Sequence, residues 1–169
     1  LKRLESPMGS RKSMYVLTSA GSELFDVINA IGNWGKRWID MRHNLDSAKE
    51  NLLIWDIRRN LNMEYFPINT AVLQINITDV PKKTSNWWFI FDGKERPDVG
   101  YLDPSLDVDL YIETSLSSLT KIWLGESNYS NESKAGTFQI EGSQKLIETF
   151  ESWFGSSNFA SIPKFAIAS

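Results

Sequence analysis

Hydrophobic positions repeat with the period of a helix in the first quarter of the chain. Two short apolar-bearing segments, residues 1–6 and 14–18, precede a stripe that steps by three and four residues. This spacing predicts one amphipathic helix with a single apolar side. The stripe consists of Leu24, Val27, Ile28, Ile31, Trp34 and Trp38. Because the preceding chain is too short to supply a core, we expect this helix to pair with a partner or with residues that precede it.

A second helical pattern follows a break around residues 43–46. The three–four spacing resumes at Leu45 and continues through Leu52 to Trp55, and Pro67 ends the section. No Gly- or Ser-rich linker separates the two predicted helices. We therefore expect a stiff connection between them.

From residue 71 onward the pattern changes to alternation of apolar and polar positions, the period of a half-buried strand. Residues 71–78 and 108–112 alternate in this way, and three further strands are predicted at 87–91, 99–102 and 137–141. Helical spacing predicts a short helix over residues 116–123 and a last helix over residues 146–154. Several strands with helices gathered on one side predict an α+β fold, with a five-stranded, mainly antiparallel sheet and helices packed on one face.

Composition and charge change this picture in one respect. The chain has 169 residues, 41% of them hydrophobic, and no cysteine, which removes disulfides and is consistent with a reducing cytoplasm. No apolar run approaches the length of a membrane span, so no membrane partner is expected.

Residues 1–18 carry four cations against one carboxylate, a net charge of +3. The whole chain has a net charge of −3, which leaves −6 for the other 151 residues. A basic front on an acidic body suits an element that contacts phosphates, but on charge alone a solvated terminus is the better explanation.

The sequence offers little catalytic chemistry. The one histidine, His43, lies at a helix junction, where an exposed polar residue is the simplest interpretation. Asp107 and Asp109 share one face of a strand, as a carboxylate pair requires, but a solvated sheet surface explains them better. There is no phosphate-binding loop and no zinc-type spacing of His and Glu. We therefore expect no catalytic residue, no metal, no cofactor and no enzymatic activity.

Residues 1–40 resemble the second half of an HxlR-type winged helix-turn-helix domain. The resemblance lies in a basic hairpin followed by Tyr15, Leu17-Thr18, Gly21, Leu24 and Trp34-Gly35. It implies a bacterial transcription regulator that binds DNA as a homodimer. The wing would contact DNA through Lys2, Arg3, Arg11 and Lys12, and the apolar stripe from Leu24 to Trp38 would be the dimerisation helix. The family's recognition helix precedes the wing, so we expect the gene to continue upstream of Leu1 into a helix-turn-helix.

Residues 46–160 resemble the sterol-carrier-like domain that is fused behind some HxlR-type regulators. Among the residues that carry this resemblance are Trp87-Trp88, Asp92-Gly93, Asp103-Pro104, Trp123-Leu124-Gly125 and Asn158-Phe159-Ala160. The resemblance implies a five-stranded sheet with helices on one face. In carrier relatives an apolar tunnel between sheet and helices holds a lipid, but the ligand does not carry over with the fold.

Large aromatic residues on apolar faces define a candidate pocket. They bury about 150–250 Å² each, so they can either fill a small core or line a cavity. The candidate pocket residues are Trp55, Trp87, Phe89, Leu119, Trp123, Phe138, Phe150 and Trp153. If the cavity is hollow, we expect a small apolar or lipid-like ligand.

The predicted organisation is a partial winged helix (1–40), a helical connector (41–62), a sterol-carrier-like domain (63–160) and a tail (161–169). The leading interpretation is a cytoplasmic transcription regulator fragment whose second domain senses an apolar ligand and shifts the helical connection. The alternatives are a lipid carrier module and a purely dimerising scaffold.

Overall fold

The chain divides into two compact units, Leu1–Ile39 with Ile162–Ser169 and Asp40–Ser161. The structure is a computed structural model that describes residues 2–4, 14–38 and 50–163, with side chains from Tyr15 onward in those ranges. His43 and the basic residues Arg11 and Lys12 lie outside the described residues.

The first unit contains a β-hairpin and a long helix. Strand β1 (Lys2–Leu4) pairs antiparallel with β2 (Met14–Val16), with Arg3 opposite Tyr15. Two residues separate β2 from helix α1 (Ser19–Trp38), which has 20 residues. The hydroxyl oxygen of Thr18 accepts a hydrogen bond from the amide of Gly21 at 3.2 Å, which satisfies one of the unpaired donors of the first turn. The hairpin implied by the resemblance and the predicted helix are both present.

The second unit alternates short strands and short helices. In chain order its elements are α2 (Glu50–Asn60), β3 (Thr70–Ile77), β4 (Asn86–Asp92), β5 (Asp98–Gly100), β6 (Leu110–Thr114), α3 (Leu116–Trp123), α4 (Tyr129–Lys134), β7 (Phe138–Gly142), α5 (Gln144–Glu148) and α6 (Phe150–Phe154). Single 3-10 turns lie at Met63–Tyr65 and Lys82–Thr84.

Strands β3 to β7 form one mixed sheet in the order β5-β4-β3-β6-β7. The central pair β3–β6 is parallel, and the other three pairs are antiparallel. The prediction of an α+β fold with a five-stranded, mainly antiparallel sheet is confirmed. Strand β6 starts two residues later than predicted. Just before it, the carboxylate of Asp109 accepts a hydrogen bond from the Val72 amide at 2.8 Å, and the Asp109 carbonyl accepts one from the Ser143 amide at 2.8 Å.

One face of the sheet carries the core. In β3 and β4 the core side chains stand at alternate positions, Leu73 and Ile75 from the first strand and Trp87 and Phe89 from the second. Helices α2, α3, α5 and α6 supply the opposite side of this core with Ile54, Ile57, Leu119, Trp123, Leu146, Phe150, Trp153 and Phe154. The helix α2, which the sequence analysis assigned to a connector, therefore belongs to the core of the second unit.

Candidate functional site

Seven of the eight candidate pocket residues meet in the interior between sheet and helices. Trp87, Phe89, Leu119, Trp123, Phe138, Phe150 and Trp153 are 0–4% exposed and belong to one apolar cluster. The sheet contributes the members from β4 and β7, and the helices contribute the others. These seven residues, selected from the sequence as candidate pocket residues, are buried in the structure and packed against one another.

Trp55 is the exception, because its side chain is 44% exposed and does not line the interior. The guanidinium carbon of Arg58 lies 5.4 Å from the centroid of the Trp55 ring, a cation–π distance. Helix α2 contains two stripes with three–four spacing, and the one that faces the core is Ile54 and Ile57, continued by Leu61 just after the helix. The predicted stripe through Leu52 and Trp55 is the outward one.

Aromatic rings fill the interior mainly by edge-to-face contacts. Trp153 is the centre, and its ring meets Phe66 and Phe150 edge-on, with both centroid distances 5.2 Å. Phe66 also stacks on Phe91 with a centroid distance of 4.0 Å. Such pairs contribute about 0.5–1.5 kcal/mol beyond the area they bury. These contacts hold the rings of the interior directly against one another.

Each indole N–H group of the interior has a hydrogen-bond acceptor. Trp153 donates to the carbonyl of Leu146 at 3.0 Å, and Trp87 donates to the carbonyl of Thr84 at 2.9 Å. Trp123 donates to a carboxylate oxygen of Asp56 at 2.7 Å, which ties α3 to α2. No buried side-chain nitrogen or oxygen in the described part of the chain lacks a partner. A molecule that entered the interior would meet apolar surface.

Two one-turn helices cover part of this interior. Helices α5 and α6 have five residues each and are separated by Thr149 alone, whose hydroxyl donates to the carbonyl of Lys145 at 2.8 Å. Helices this short gain little stability from their own hydrogen bonds and depend on packing. Helices α5 and α6 are therefore held in place mainly by the packing of their buried side chains, Leu146, Phe150, Trp153 and Phe154.

A polar cluster holds α3, α4 and β7 together at another edge of the core. The hydroxyl of Ser118 contacts both the carboxylate of Glu132 and, at 2.8 Å, the hydroxyl of Thr137. Burial would raise the pKa of Glu132, but hydrogen bonds from Ser118, Ser127 and Thr137, with the charge of Lys121, outweigh it and lower the pKa. The cluster contains no histidine or cysteine, and its hydrogen bonds connect α3, α4 and β7. Its arrangement is therefore structural.

The predicted dimerisation helix exposes its apolar stripe within this chain. The side chains of Leu24, Val27, Ile28, Ile31, Trp34 and Trp38 are 47–63% exposed, and Phe25 adds a further exposed ring beside them. Large apolar side chains grouped on one side of a 20-residue helix form a surface of the kind that protein partners cover.

The predicted wing falls only partly within the described structure. Lys2 and Arg3 lie in β1, while Arg11 and Lys12 belong to the segment between the strands that is outside the described residues. Among the described residues, no three acidic or histidine side chains are grouped so that they could hold a metal ion. In the same residues no helix combines the length and apolar character needed to cross a membrane.

The face of the sheet opposite the core has a polar groove that the sequence analysis did not single out. Its volume is about 310 Å³, and its polar lining consists of Gln74, Asn76, Tyr111, Glu113, Gln139 and Glu141. A second depression of about 220 Å³ shares Glu113 and Gln139 with it and continues to Thr78 and Thr137. The sequence shows the polar positions of these three strands, but only the register between the strands brings their side chains together.

Comparison with known proteins gives similarities to solved structures only: no protein-family model and no curated protein matches the chain. A UbiJ-SCP2 ubiquinone synthesis protein is 17% identical with a TM-score of 0.45, over 62% of this chain and 84% of that one. Sterol carrier protein 2 from Yarrowia lipolytica is 18% identical with a TM-score of 0.42, over 60% and 84%. A double-mutant sec-alkyl sulfatase PisA1 is 17% identical with a TM-score of 0.49, over 70% of this chain but only 18% of the sulfatase. At these identities and scores, the similarities identify neither a ligand nor an activity.

Proposed function

We propose that the second unit is a sterol-carrier-like module that binds a small apolar ligand between its sheet and its helices. The observation that carries this proposal is the aromatic interior around Trp153, which has α5 and α6 as part of its cover. The ligand would enter by displacing these two helices from the sheet. Its class is apolar because the indole N–H groups there are already bonded and no charged side chain is buried among the described residues of the second unit.

The tight packing of the same interior favours a second candidate, a purely structural unit whose core is already full. The two candidates differ in what an apolar molecule does to the protein. A carrier or sensor takes the molecule up in a saturable manner, whereas a packed scaffold leaves it in solution or adsorbs it weakly at the surface.

A dansyl-labelled undecanoic acid distinguishes the candidates, since energy transfer from Trp87, Trp123 and Trp153 reports its entry. We expect saturable transfer with about one molecule bound per chain. Ala71→Phe, at a buried core-face position of β3, should weaken this binding at least about tenfold, because it fills space that the ligand needs.

The matched control is Leu52→Phe, which adds an aromatic ring at a position 68% exposed on α2 and should leave binding unchanged. Folding of both variants is checked by circular dichroism before the titration. Absence of saturable transfer in the unsubstituted chain, or an equal loss in both variants, would contradict ligand binding and favour the packed scaffold.

For the first unit we propose the role implied by its resemblance, as part of a dimeric HxlR-type regulator that binds DNA through a complete winged-helix domain. The supporting observation is a hairpin followed directly by α1, whose apolar stripe is exposed. In this proposal the second unit is the effector domain, and α1 pairs with α1 of a second copy.

Ile31→Glu tests this pairing, because Ile31 is exposed at the centre of the stripe. A carboxylate buried between two apolar helices without a partner should raise the dimer dissociation constant about a hundredfold or more, roughly 3 kcal/mol. Analytical ultracentrifugation measures the change. Leu52→Glu, equally exposed but on α2, should leave the dimer intact, and a dimer that survives Ile31→Glu would show that α1 is not its interface.

A further inference from the structure

We propose that the polar groove on the outer face of the sheet binds a small polyhydroxylated ligand of the sugar type that carries no anionic group. The groove lies on the side of the sheet opposite the aromatic interior, so this is a second site of different chemistry. It does not depend on the apolar ligand proposed for the interior.

Strand register builds the groove as two parallel rows of side chains. Gln74, Tyr111 and Glu141 stand opposite one another across β3, β6 and β7, and the next row is Asn76, Glu113 and Gln139. Neighbouring strands are about 4.8 Å apart, and successive residues on one face are about 6.8 Å apart. The six groups thus frame an area of the size of a hexose with its hydroxyl groups, on strands of the sheet and not on loops.

Three of the six lining side chains are already hydrogen-bonded within the protein, because Gln74 donates to the side-chain oxygen of Asn86 at 3.0 Å and Asn76 pairs with Glu113. The amide nitrogen of Asn76 donates to a carboxylate oxygen of Glu113 at 3.2 Å, which fixes that pair. The side chains of Tyr111, Gln139 and Glu141 make no hydrogen bond to any other described residue. Side-chain amides both donate and accept hydrogen bonds, and carboxylates accept them. Neighbouring hydroxyl groups of a ligand, which also donate and accept, can pair with both kinds of group.

Tyr111 gives the groove an apolar surface as well. Its side chain is 49% exposed at the centre of its row, between Gln74 and Glu141. The C–H groups of a sugar ring can pack against one face of this exposed aromatic ring. The amides and carboxylates beside it can form hydrogen bonds with the sugar hydroxyl groups. The adjoining depression towards Thr78 and Thr137 extends the groove with further hydroxyl groups, which leaves space for a second ring.

Charge restricts the ligand class. Two carboxylates, Glu113 and Glu141, line the groove without a cationic residue, and neither forms an ion pair within the described residues. A phosphate, sulfate or carboxylate on the ligand would be repelled, and an amine would be attracted. The groove therefore suits neutral sugars and amino sugars, and it excludes nucleic acid.

Three sugars of nearly equal shape and different charge test this proposal: glucosamine, glucose and glucuronate, each titrated into the full chain and followed by NMR chemical shifts. We expect glucosamine to bind at least as well as glucose, both with millimolar dissociation constants. Glucuronate should bind at least about tenfold more weakly than glucose because of the two carboxylates. The shifted resonances should be those of β3, β6 and β7.

Two variants locate the site. Gln139→Ala removes one donor–acceptor group and should weaken glucose binding about two- to tenfold. Gln144→Ala, an exposed glutamine on α5 outside the groove, should have no effect. Glu141→Gln keeps the shape of the side chain and should reduce the preference for glucosamine over glucose.

The proposal is overturned if none of the three sugars shifts the groove resonances at concentrations up to roughly 50 mM, an affinity weaker than about 2 kcal/mol. It is equally overturned if glucuronate binds as well as glucose. Spermidine, a cation without hydroxyl groups, is the remaining probe. If it binds where glucose does not, the groove recognises charge alone and is not a sugar site.

Discussion

Replacing Trp123 with alanine is expected to lower the free energy of unfolding by about 3–5 kcal/mol, the cost of removing a large aromatic side chain from a packed core. The Trp123 side chain is 1% exposed, and its ring meets Phe154 edge-on with a centroid distance of 5.7 Å. Its indole N–H also donates to Asp56, so the same side chain joins the core of α3 to helix α2. Urea unfolding followed by circular dichroism measures the loss as a lower midpoint at an unchanged slope.

Trp123→Phe separates packing from hydrogen bonding, because phenylalanine keeps a ring and loses the N–H donor. The loss should then be about 1–3 kcal/mol, since Asp56 still accepts from the side chain of Asn60 at 3.0 Å. An alanine variant that loses less than about 1 kcal/mol would contradict a core that depends on this ring. Equal losses for both variants would assign the effect to the hydrogen bond.

Gly142→Ala is expected to be the most damaging of the glycine substitutions, with a loss of more than about 3 kcal/mol. Gly142 ends β7 with φ +131, a conformation that side chains rarely adopt and that costs about 1–3 kcal/mol to impose on alanine. An added Cβ would in addition overlap the carbonyl oxygen of Asp109, which accepts a hydrogen bond from the Ser143 amide at 2.8 Å. The backbone of Asp109 or of β7 would have to move.

Two other glycines make a graded control for this prediction. Gly136 has φ +73 but open space around an added Cβ, so alanine there should cost only the backbone strain, about 1–2 kcal/mol. Gly100 has open space and no positive φ, so Gly100→Ala should be close to neutral. Thermal or urea unfolding of the three variants gives the order. If Gly142→Ala cost no more than Gly136→Ala, the close approach to Asp109 would not matter.

Local patterns in the sequence predict most of the second unit, because β3 and β6 alternate and β4 contains a run of apolar residues. The alternation in β3 around Leu73 and Ile75, and the helical spacing around Trp123, correspond to elements found within one or two residues of their predicted places. The aromatic residues of the interior were also recognisable, because burial and aromatic size favour the same positions.

Other features depend on information that no local pattern contains. Helix α2 has two apolar stripes of equal spacing, and only packing against the sheet selects Ile54 and Ile57 over Trp55. The Asp109 carboxylate replaces a backbone group of the sheet ladder, which alternation alone cannot reveal. The outer groove requires the register that sets Tyr111 opposite Glu141, a contact between strands separated by a helical section of the chain.

The central claim is that the second unit of a dimeric protein holds an apolar ligand. Native mass spectrometry of the purified chain, followed by denaturation of the same sample, tests this claim most directly. Our account predicts a dimer that carries additional mass after incubation with a medium-chain fatty acid and releases that mass on denaturation. A protein that stays at its bare monomer mass after the same incubation would contradict both parts of the claim. A dimer at its bare mass would contradict ligand binding alone and leave the packed scaffold.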